Sequence, residues 1–501
     1  MTKVDSTDVS HSHERTFFGH PWGLANLFGV EMWERFSFYG LQGILLFYLY
    51  YQTTEGGLGI SEHIATAIVG AYGGMVYLAA IGGSWVADRI LGSERVLFYS
   101  AILIMFGHLS LALLPAIIGL TAGLVLIAVG SGGLKTTASS VLGDLYAEGD
   151  PRRESGFSIF YMGINIGALF GPLLTGWVWG QKGFHWGFAV AAIGMAIGLI
   201  QYALMRKDTI GAVGHDIVNP LPTDKTLFGV PTAIVYAIVG ILVGAPLIVL
   251  LFTTGLVKVD WLSNIVSVLA TLAALILMIQ MYVSPLTNKT EKQRLIGFIP
   301  MFFASVVFWS IYQQQFTVVA IYSDKRLDRT FGSFEISPTW VNAISPVFVI
   351  LFAGVLATMW AKMGDRQPST PMKYGLSMIL IGLATFIFIP FAGGGANSTP
   401  FMVIVLIMFL FTMAELMISP VGLSLATRLA PEHFVTRMMC VQFLSIAVGT
   451  ALAGTMAGFY NPDVASAERN YFLVMGSATI IAGALILIAR KPILKAFAGE
   501  R

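Results

Sequence analysis

The chain of 501 residues is 56% hydrophobic and only 11% charged, with a formal net charge of +2. A soluble protein carries about a quarter charged residues to cover its surface, so the composition excludes a soluble fold and points to a bilayer as solvent. The single cysteine, Cys440, excludes disulfides within the chain and any cysteine-based metal cluster.

The polar start, residues 1–20, has no hydrophobic core of its own and reads as a cytoplasmic tail, not a cleaved signal. Beyond it, apolar runs long enough to cross a bilayer recur fourteen times, at roughly 21–51, 63–87, 96–115, 119–141, 156–178, 187–205, 228–253, 261–284, 296–322, 339–361, 372–391, 400–427, 438–459 and 470–489. With both termini in the cytoplasm, about 21 of the 29 Lys and Arg lie on that side and about six outside. That asymmetry sets the expected orientation of a multi-pass cell-membrane protein. The loop after the second span, "GGSWVADRILGSER", and the loop after the tenth, "WAKMGDRQPS", each place an Asp-Arg pair after a glycine. If spans seven and eight are an insertion, the two loops are equivalent points in two six-helix halves. This is the layout of a major facilitator transporter, with its binding site at mid-membrane between the halves. The expected fold class is therefore an all-α polytopic membrane protein with two six-helix bundles plus two extra central helices. Residues 21–206 form the first bundle, 207–295 a linker carrying the extra helices, 296–490 the second bundle and 491–501 a cytoplasmic tail. Asp88 and Arg89 read either as a solvated turn or as a gate holding helices together on the cytoplasmic side.

Five ionisable side chains other than histidine fall inside spans: Glu31, Glu34, Arg35, Lys135 and Glu415. Charges at such depth cost several kcal/mol unless paired, and they face the bundle interior. Positions i, i+3 and i+4 share a helix face, so Glu31, Glu34 and Arg35 project together. Lys135 in "AVGSGGLKTTASS" and Glu415 in "FTMAELMISPVG" occupy equivalent places in the repeat and could face each other across a central cavity. The five sum to one excess negative charge, which a proton on one carboxylate would neutralise. A static ion-pair network is the alternative. A zwitterionic substrate needs an anion for its ammonium and a cation for its carboxylate, which Glu415 with Lys135, or Lys135 with Arg35, could supply. Phe308, Trp309, Tyr312 and Tyr39 could form aromatic walls.

With these residues in view, the sequence resembles the bacterial branch of the proton-dependent oligopeptide transporter (POT) family over nearly its whole length. The matching motifs are "EMWERFSFYG", "GGSWVADRILG", "FSIFYMGINIGALFGPLL" and "ELMISPVGLSLATRLAP", together with the two extra helices. The resemblance implies an alternating-access importer of di- and tripeptides driven by the proton gradient. No cofactor is implied beyond the proton as coupling ion. Glu31, Glu34 and Arg35 would be the proton-coupling cluster, and Lys135 and Glu415 the cytoplasmic gating and peptide-terminus pair. Tyr39, Tyr77 and Asn165 would line the pocket. The partners expected are peptides, protons and membrane lipids, with no nucleic acid and a monomeric chain.

The departures from the family pattern gather in the expected pocket. Gln42 stands where many relatives have arginine, and Gln313 in "FWSIYQQQF" stands where they have glutamate. Loss of both charges strands neither. The family's "LKPNVS" becomes "LKTTAS", its "WFQSLNP" becomes "WVNAISP" with Asn342 and Ser345, and its "WFLSN" tryptophan becomes Gln442. Each glutamine reads alternatively as a hydrogen-bonding link between helices. Glu62 and Lys325 could form a salt bridge closing the outer mouth. His108 in "MFGHLSLA" reads as a hydrogen-bonded packing residue, and "SPVG" and "FGPLL" as helix bends. The expected cycle has Arg35 paired with Glu31 or Glu34, released when one carboxylate is protonated so that peptide binds. Inward release then follows proton loss and separation of Lys135 from Glu415. Rival readings are another small zwitterion, anion or drug-like compound on the same machinery, a channel, or a membrane enzyme. No H-x-x-x-H, H-E-x-x-H or G-x-S-x-G stretch supports an enzyme.

Overall fold

A computed structural model describes residues 16–147, 150–221, 226–227 and 230–499. Residues 1–15 of the expected N-terminal tail, part of the expected linker and the last two residues of the C-terminal tail lie outside that set. After a short hairpin, in which Thr16–Phe17 pairs with His20–Pro21, the chain is helical almost throughout. The first six long helices are α1 (Trp22–Tyr50), α2 (Glu62–Val86), α3 (Ser93–Leu113), α4 (Ala116–Asp144), α5 (Arg153–Lys182) and α6 (Phe184–Thr209). Then come α7 (Thr232–Thr253), α8 (Leu262–Val283), α9 (Lys289–Tyr312), the short α10 (Val318–Lys325), α11 (Ile344–Met363) and α12 (Thr370–Phe386). The chain finishes with α13 (Phe401–Leu429), α14 (Val435–Ala457), α15 (Ala465–Ile488) and the short α16 (Arg490–Ala496).

Hydrocarbon offers no partner to an open N–H or C=O, so apolar runs of this length satisfy their own backbones as helices. Among the described residues, twelve helices are long and apolar enough to cross a membrane. To these are added α1, 29 residues long with three charges near its middle, and α7, an uncharged helix of 22 residues. Every expected span thus has its helix. Some starts are set by a side-chain cap or by proline. Asn288 caps α9 by accepting from Glu291 N, while Glu291 reaches back to Asn288 N. Prolines precede α1, α4 and α13. Pro172, Pro300 and Pro420 lie inside continuous helices.

One expected span is broken. The run 296–322 divides into α9, a 3-10 turn at Gln313–Phe316, and α10 after Thr317 leaves helical geometry at φ −127°, ψ −90°. Hydropathy did not mark the break because the flanking residues are apolar on both sides. The cost of irregular backbone at this depth is met only where it is buried in protein or lines a cavity.

Helices α1–α6 pack on one another, as do α9 and α11–α15, giving two bundles. They meet along α2 and α14, with α8 laid across the seam. Small residues permit the close approach. A Cβ on Gly70 would stand 2.5 Å from the Cα of Gly454, and one on Gly74 would stand 3.0 Å from the Ala447 carbonyl oxygen. Ser263 of α8 donates to the Ala67 carbonyl at 2.7 Å, and Thr455 of α14 donates to Asn264 of α8 at 2.9 Å. Gly70→Val places a branched side chain against Gly454 and costs about 1–3 kcal/mol. A lower melting temperature in detergent and slowed transport are expected, both measurable on purified protein.

Candidate functional site

The charged cluster of α1 is buried. Glu31, Glu34 and Arg35 are 3%, 0% and 4% exposed, and the Arg35 Nε lies 3.1 Å from Glu31 Oε1 and 2.6 Å from Glu34 Oε2. The helix puts all three on one face because they are three and four residues apart. Ser131 of α4 donates to Glu34 Oε1 at 2.8 Å. The Arg35 guanidinium stands 5.3 Å from the centre of the Phe38 ring, and its Nη2 has no hydrogen-bond partner. One turn after Ser131, Lys135 sets its Nζ 3.9 Å from the centre of the Tyr77 ring on α2. The charges of Arg35, Glu31 and Glu34 all act on Lys135.

From the second bundle, Glu415 of α13 accepts a hydrogen bond from Tyr312 at 3.1 Å. Tyr312 belongs to an aromatic group with Phe308, Trp309 and Phe411. Both Arg35 and Glu415 act electrostatically on Tyr39 and Tyr77, and Glu415 also acts on Tyr161 of α5. Tyr39 and Tyr77 thus stand near both Arg35 and Glu415, and Tyr161 and Tyr312 near Glu415 and Tyr39. Tyr39 also stacks on Phe316 at the break after α9, with ring centres 6.4 Å apart. Asn165, 8% exposed, is one turn along α5 from Tyr161 and donates to its carbonyl at 2.9 Å.

The expected contact between Lys135 and Glu415 is absent: among the described residues neither forms an ion pair, and each is turned to a tyrosine. The physical reason is that the helices carrying them, α4 and α13, do not pack together. Asp88 and Arg89 also hold something other than two bundle helices. They sit in a wide turn, Ala87–Leu91, where Arg89 donates to Asn219 at 3.3 Å and the Asp88 carbonyl accepts from Asn219 N at 2.9 Å. Gln442 donates weakly to Ser305 of α9 at 3.4 Å, beside a Ser305–Ser445 bond of 2.7 Å, so it links α9 to α14. Trp309 packs against Gly449 at the same contact. Gln42 is buried on α1, and its neighbour Gly43 lies against Pro172 and Thr339. Gln313 Oε1, Asn342 Oδ1 and Ser345 Oγ are buried without a hydrogen-bond partner. His108 of α3 is fully buried, and the hydrogen bonds expected of it are missing at both ring nitrogens.

At the end of the molecule where α1 stops and α2 starts, the bundles are tied together. Lys325 Nζ meets Glu62 Oε1 at 2.6 Å. Beside this bridge, Tyr50 and Tyr51 donate to Asp324 at 2.5 and 2.8 Å, around a hollow of about 480 Å³. Thr339 and Trp340 donate to the carbonyls of Pro172 and Leu173 at 3.2 and 3.0 Å. At the opposite end, Arg152 donates to Asp150 and holds that carboxyl at about 2, well below the usual carboxylate range.

Three residues escaped the sequence reading. Ser131 is a polar residue one helical turn from an intramembrane lysine, and that spacing was the available signal. Asp324 lies in "YSDKRLDR", directly before the Lys325 that the rim bridge uses. Glu94 is 1% exposed and accepts from Tyr202 at 3.1 Å and Arg206 at 2.7 Å, with His215 Nε2 at 3.1 Å. It looked like one more loop charge in "GSERV", and its partners come from 108 to 121 residues away.

Two helical bundles with charges of opposite sign on facing elements define a transporter of the major facilitator fold. A sequence model of the POT family matches residues 94–471, and the chain belongs to that family. It is 40% identical to the uncharacterized transporter YclF of Bacillus subtilis (strain 168), over 100% of both chains. It is 38% identical to a di-/tripeptide transporter of Lactococcus lactis subsp. cremoris, over 96% of this chain and 97% of the relative. Among solved structures, a mutant peptide transporter POT in complex with alafosfalin superposes with a TM-score of 0.89 at 39% identity, covering 97% of this chain and 98% of the other. A POT family transporter in complex with 5-aminolevulinic acid superposes with a TM-score of 0.89 at 36% identity, covering 96% and 98%. Members of this family are transporters, not enzymes.

Two tests follow from the geometry. The Glu62–Lys325 pair is partly exposed, so it is worth under about 1 kcal/mol. Lys325→Glu slows transport by no more than about fivefold, and the exchanged pair Glu62→Lys with Lys325→Glu restores the rate in vesicle uptake. Glu94→Gln leaves Arg206 without its carboxylate and costs about 2–3 kcal/mol after allowance for the part-exposed arginine. It lowers the melting temperature without changing substrate preference, as competition assays will read.

Proposed function

We propose that the chain is a proton-coupled symporter that imports di- and tripeptides by alternating access. It works in the cell membrane with both termini in the cytoplasm and with no cofactor besides the proton. One observation supports this above the rest: the cations Arg35 and Lys135 come from one bundle, Glu415 from the other, with tyrosines between them. A peptide zwitterion offers a carboxylate to the first and an ammonium to the second, so binding draws the two bundles together. The ties at Glu62–Lys325 and Asp324 suit a state closed to the outside. The unpaired Lys135 and Glu415 suit one open to the inside, with their approach closing the inner side on substrate. In the coupling step, a proton enters the α1 cluster from outside, one carboxylate becomes neutral, and Arg35 and Lys135 gain a surplus positive charge that receives the substrate carboxylate. Loss of that proton inward returns the cluster to its closed set of pairs and releases the peptide.

A second reading keeps the machinery and changes the cargo to another small zwitterion. The neutral Gln42 and Gln313 support it, as does a family relative bound to 5-aminolevulinic acid. Purified protein in liposomes with an inward proton gradient decides between them. Labelled dialanine should accumulate at least tenfold over vesicles without a gradient, and di- and tripeptides should compete while free amino acids and nitrate do not. Competition by 5-aminolevulinic acid or amino acids alone would replace the peptide reading with the second.

A further inference from the structure

We propose that Ser131 is a positioning residue that makes the two carboxylates of the α1 cluster unequal. It fixes Glu34 as the standing anionic partner of Arg35 and leaves Glu31 as the acid that exchanges the transported proton. This rests on the symport reading above and sharpens it.

The two glutamates meet different surroundings although they share a helix face. Glu34 Oε1 accepts a hydrogen bond from the Ser131 hydroxyl at 2.8 Å, and its Oε2, which accepts no hydrogen bond, lies in close ion contact with the Arg35 Nε at 2.6 Å. Glu34 and Ser131 are each 0% exposed, so no water competes for either contact. A proton arriving at Glu34 would have to sit on an oxygen that already faces a donor. Charge-assisted hydrogen bonds of this kind are about twice as strong as neutral ones. Glu31 has the Arg35 Nε at 3.1 Å from Oε1, and its Oε2 is buried without any partner. That oxygen has a free lone pair and no donor to displace.

Among the described residues, the charged and titratable groups around Glu31 come from α1 and its neighbouring helices. On α1 they are Arg35, Glu34 and Tyr39, and on α4 Lys135. From α2 come Tyr77, beside Arg35, and Tyr72, beside Glu34 and Arg35. Tyr161 of α5 lies beyond Tyr39, towards Glu415, and α6 presents the sulfur of Met195 to Ser37. With both glutamates ionised, Glu31, Glu34, Arg35 and Lys135 sum to zero. A proton bound at Glu31 Oε2, forming one O–H bond, leaves the Arg35–Glu34 pair intact and gives the four groups a net charge of +1. One substrate carboxylate restores neutrality, so proton and peptide enter together. Loss of the proton from Glu31 returns the negative charge that expels the carboxylate.

The test uses full-length protein in liposomes, with gradient-driven dialanine uptake followed against external pH. Rates are normalised to counterflow in the same vesicles so that loss of folded protein cancels. In Ser131→Ala, Glu34 loses its hydroxyl donor and competes for the proton. The pH of half-maximal driven uptake rises by about one unit, the tenfold change expected of one hydrogen bond to a charged group. Ser131→Thr keeps the hydroxyl and returns the midpoint to that of the wild type. A Ser131→Ala profile lying on the wild-type curve, or a Ser131→Thr profile displaced as far as that of Ser131→Ala, overturns the proposal. If wild-type vesicles show no gradient-driven dialanine uptake, the peptide-symport reading fails instead.

Discussion

One arginine divided between two glutamates in a dry helix interior is the constraint on which the rest turns. A guanidinium taken out of water alone is prohibitively costly, and two carboxylates alone would repel. Arg35 offsets both costs, and it can do so only while the pitch of α1 keeps its partners three and four residues apart on one face. The other helices are arranged around that need. Helix α5 presents Gly167 and Gly171 to the backbone of α1 around Met32 and Phe36, and α4 presents glycines to α2 and α3 while offering Ser131 and Lys135 inward. Close backbone packing on these flanks excludes water from the ion pair. The tyrosine side of the cluster, at Tyr39, Tyr77 and Lys135, is where exposure begins.

The two bundles contribute unequal chemistry. The first carries both cations and the paired glutamates of α1, and the second carries a single carboxylate set in an aromatic cluster. The arrangement is polar in one sense only. In the cycle proposed above, a zwitterion turns its carboxylate towards α1 and α4 once that cluster holds its proton, and its ammonium towards α13.

Much of this was legible in the sequence. Fourteen apolar runs became fourteen helices because hydrocarbon leaves the backbone no alternative, and "VEMWERFSFYG" declared its cluster through helical spacing alone. Legibility ended where the third dimension chooses partners. Whether Lys135 meets Glu415 depends on how the two bundles sit in one state, which residue types do not encode. Gln442 proved to join α9 and α14, because its position facing Ser305 is decided by packing between helices. The break at Gln313–Thr317 was hidden for a related reason. Hydropathy averages over a window wider than one irregular turn, and only a conflict between glutamine-rich polarity and depth hinted at it.

The ties at the Glu62 rim have a kinetic meaning. Among the described residues, several separate contacts span the two bundles there. The load is divided among a lysine bridge, two tyrosine hydroxyls on one aspartate, and a threonine and a tryptophan on main-chain oxygens. The bonds to main-chain oxygens are each worth about 1 kcal/mol net and the tyrosine bonds to the aspartate about 1.5–3 kcal/mol, so the load is shared and no one contact sets the whole activation step. Such a seam parts contact by contact as water enters, and the entrance opens along a gradual slope instead of over one high ridge.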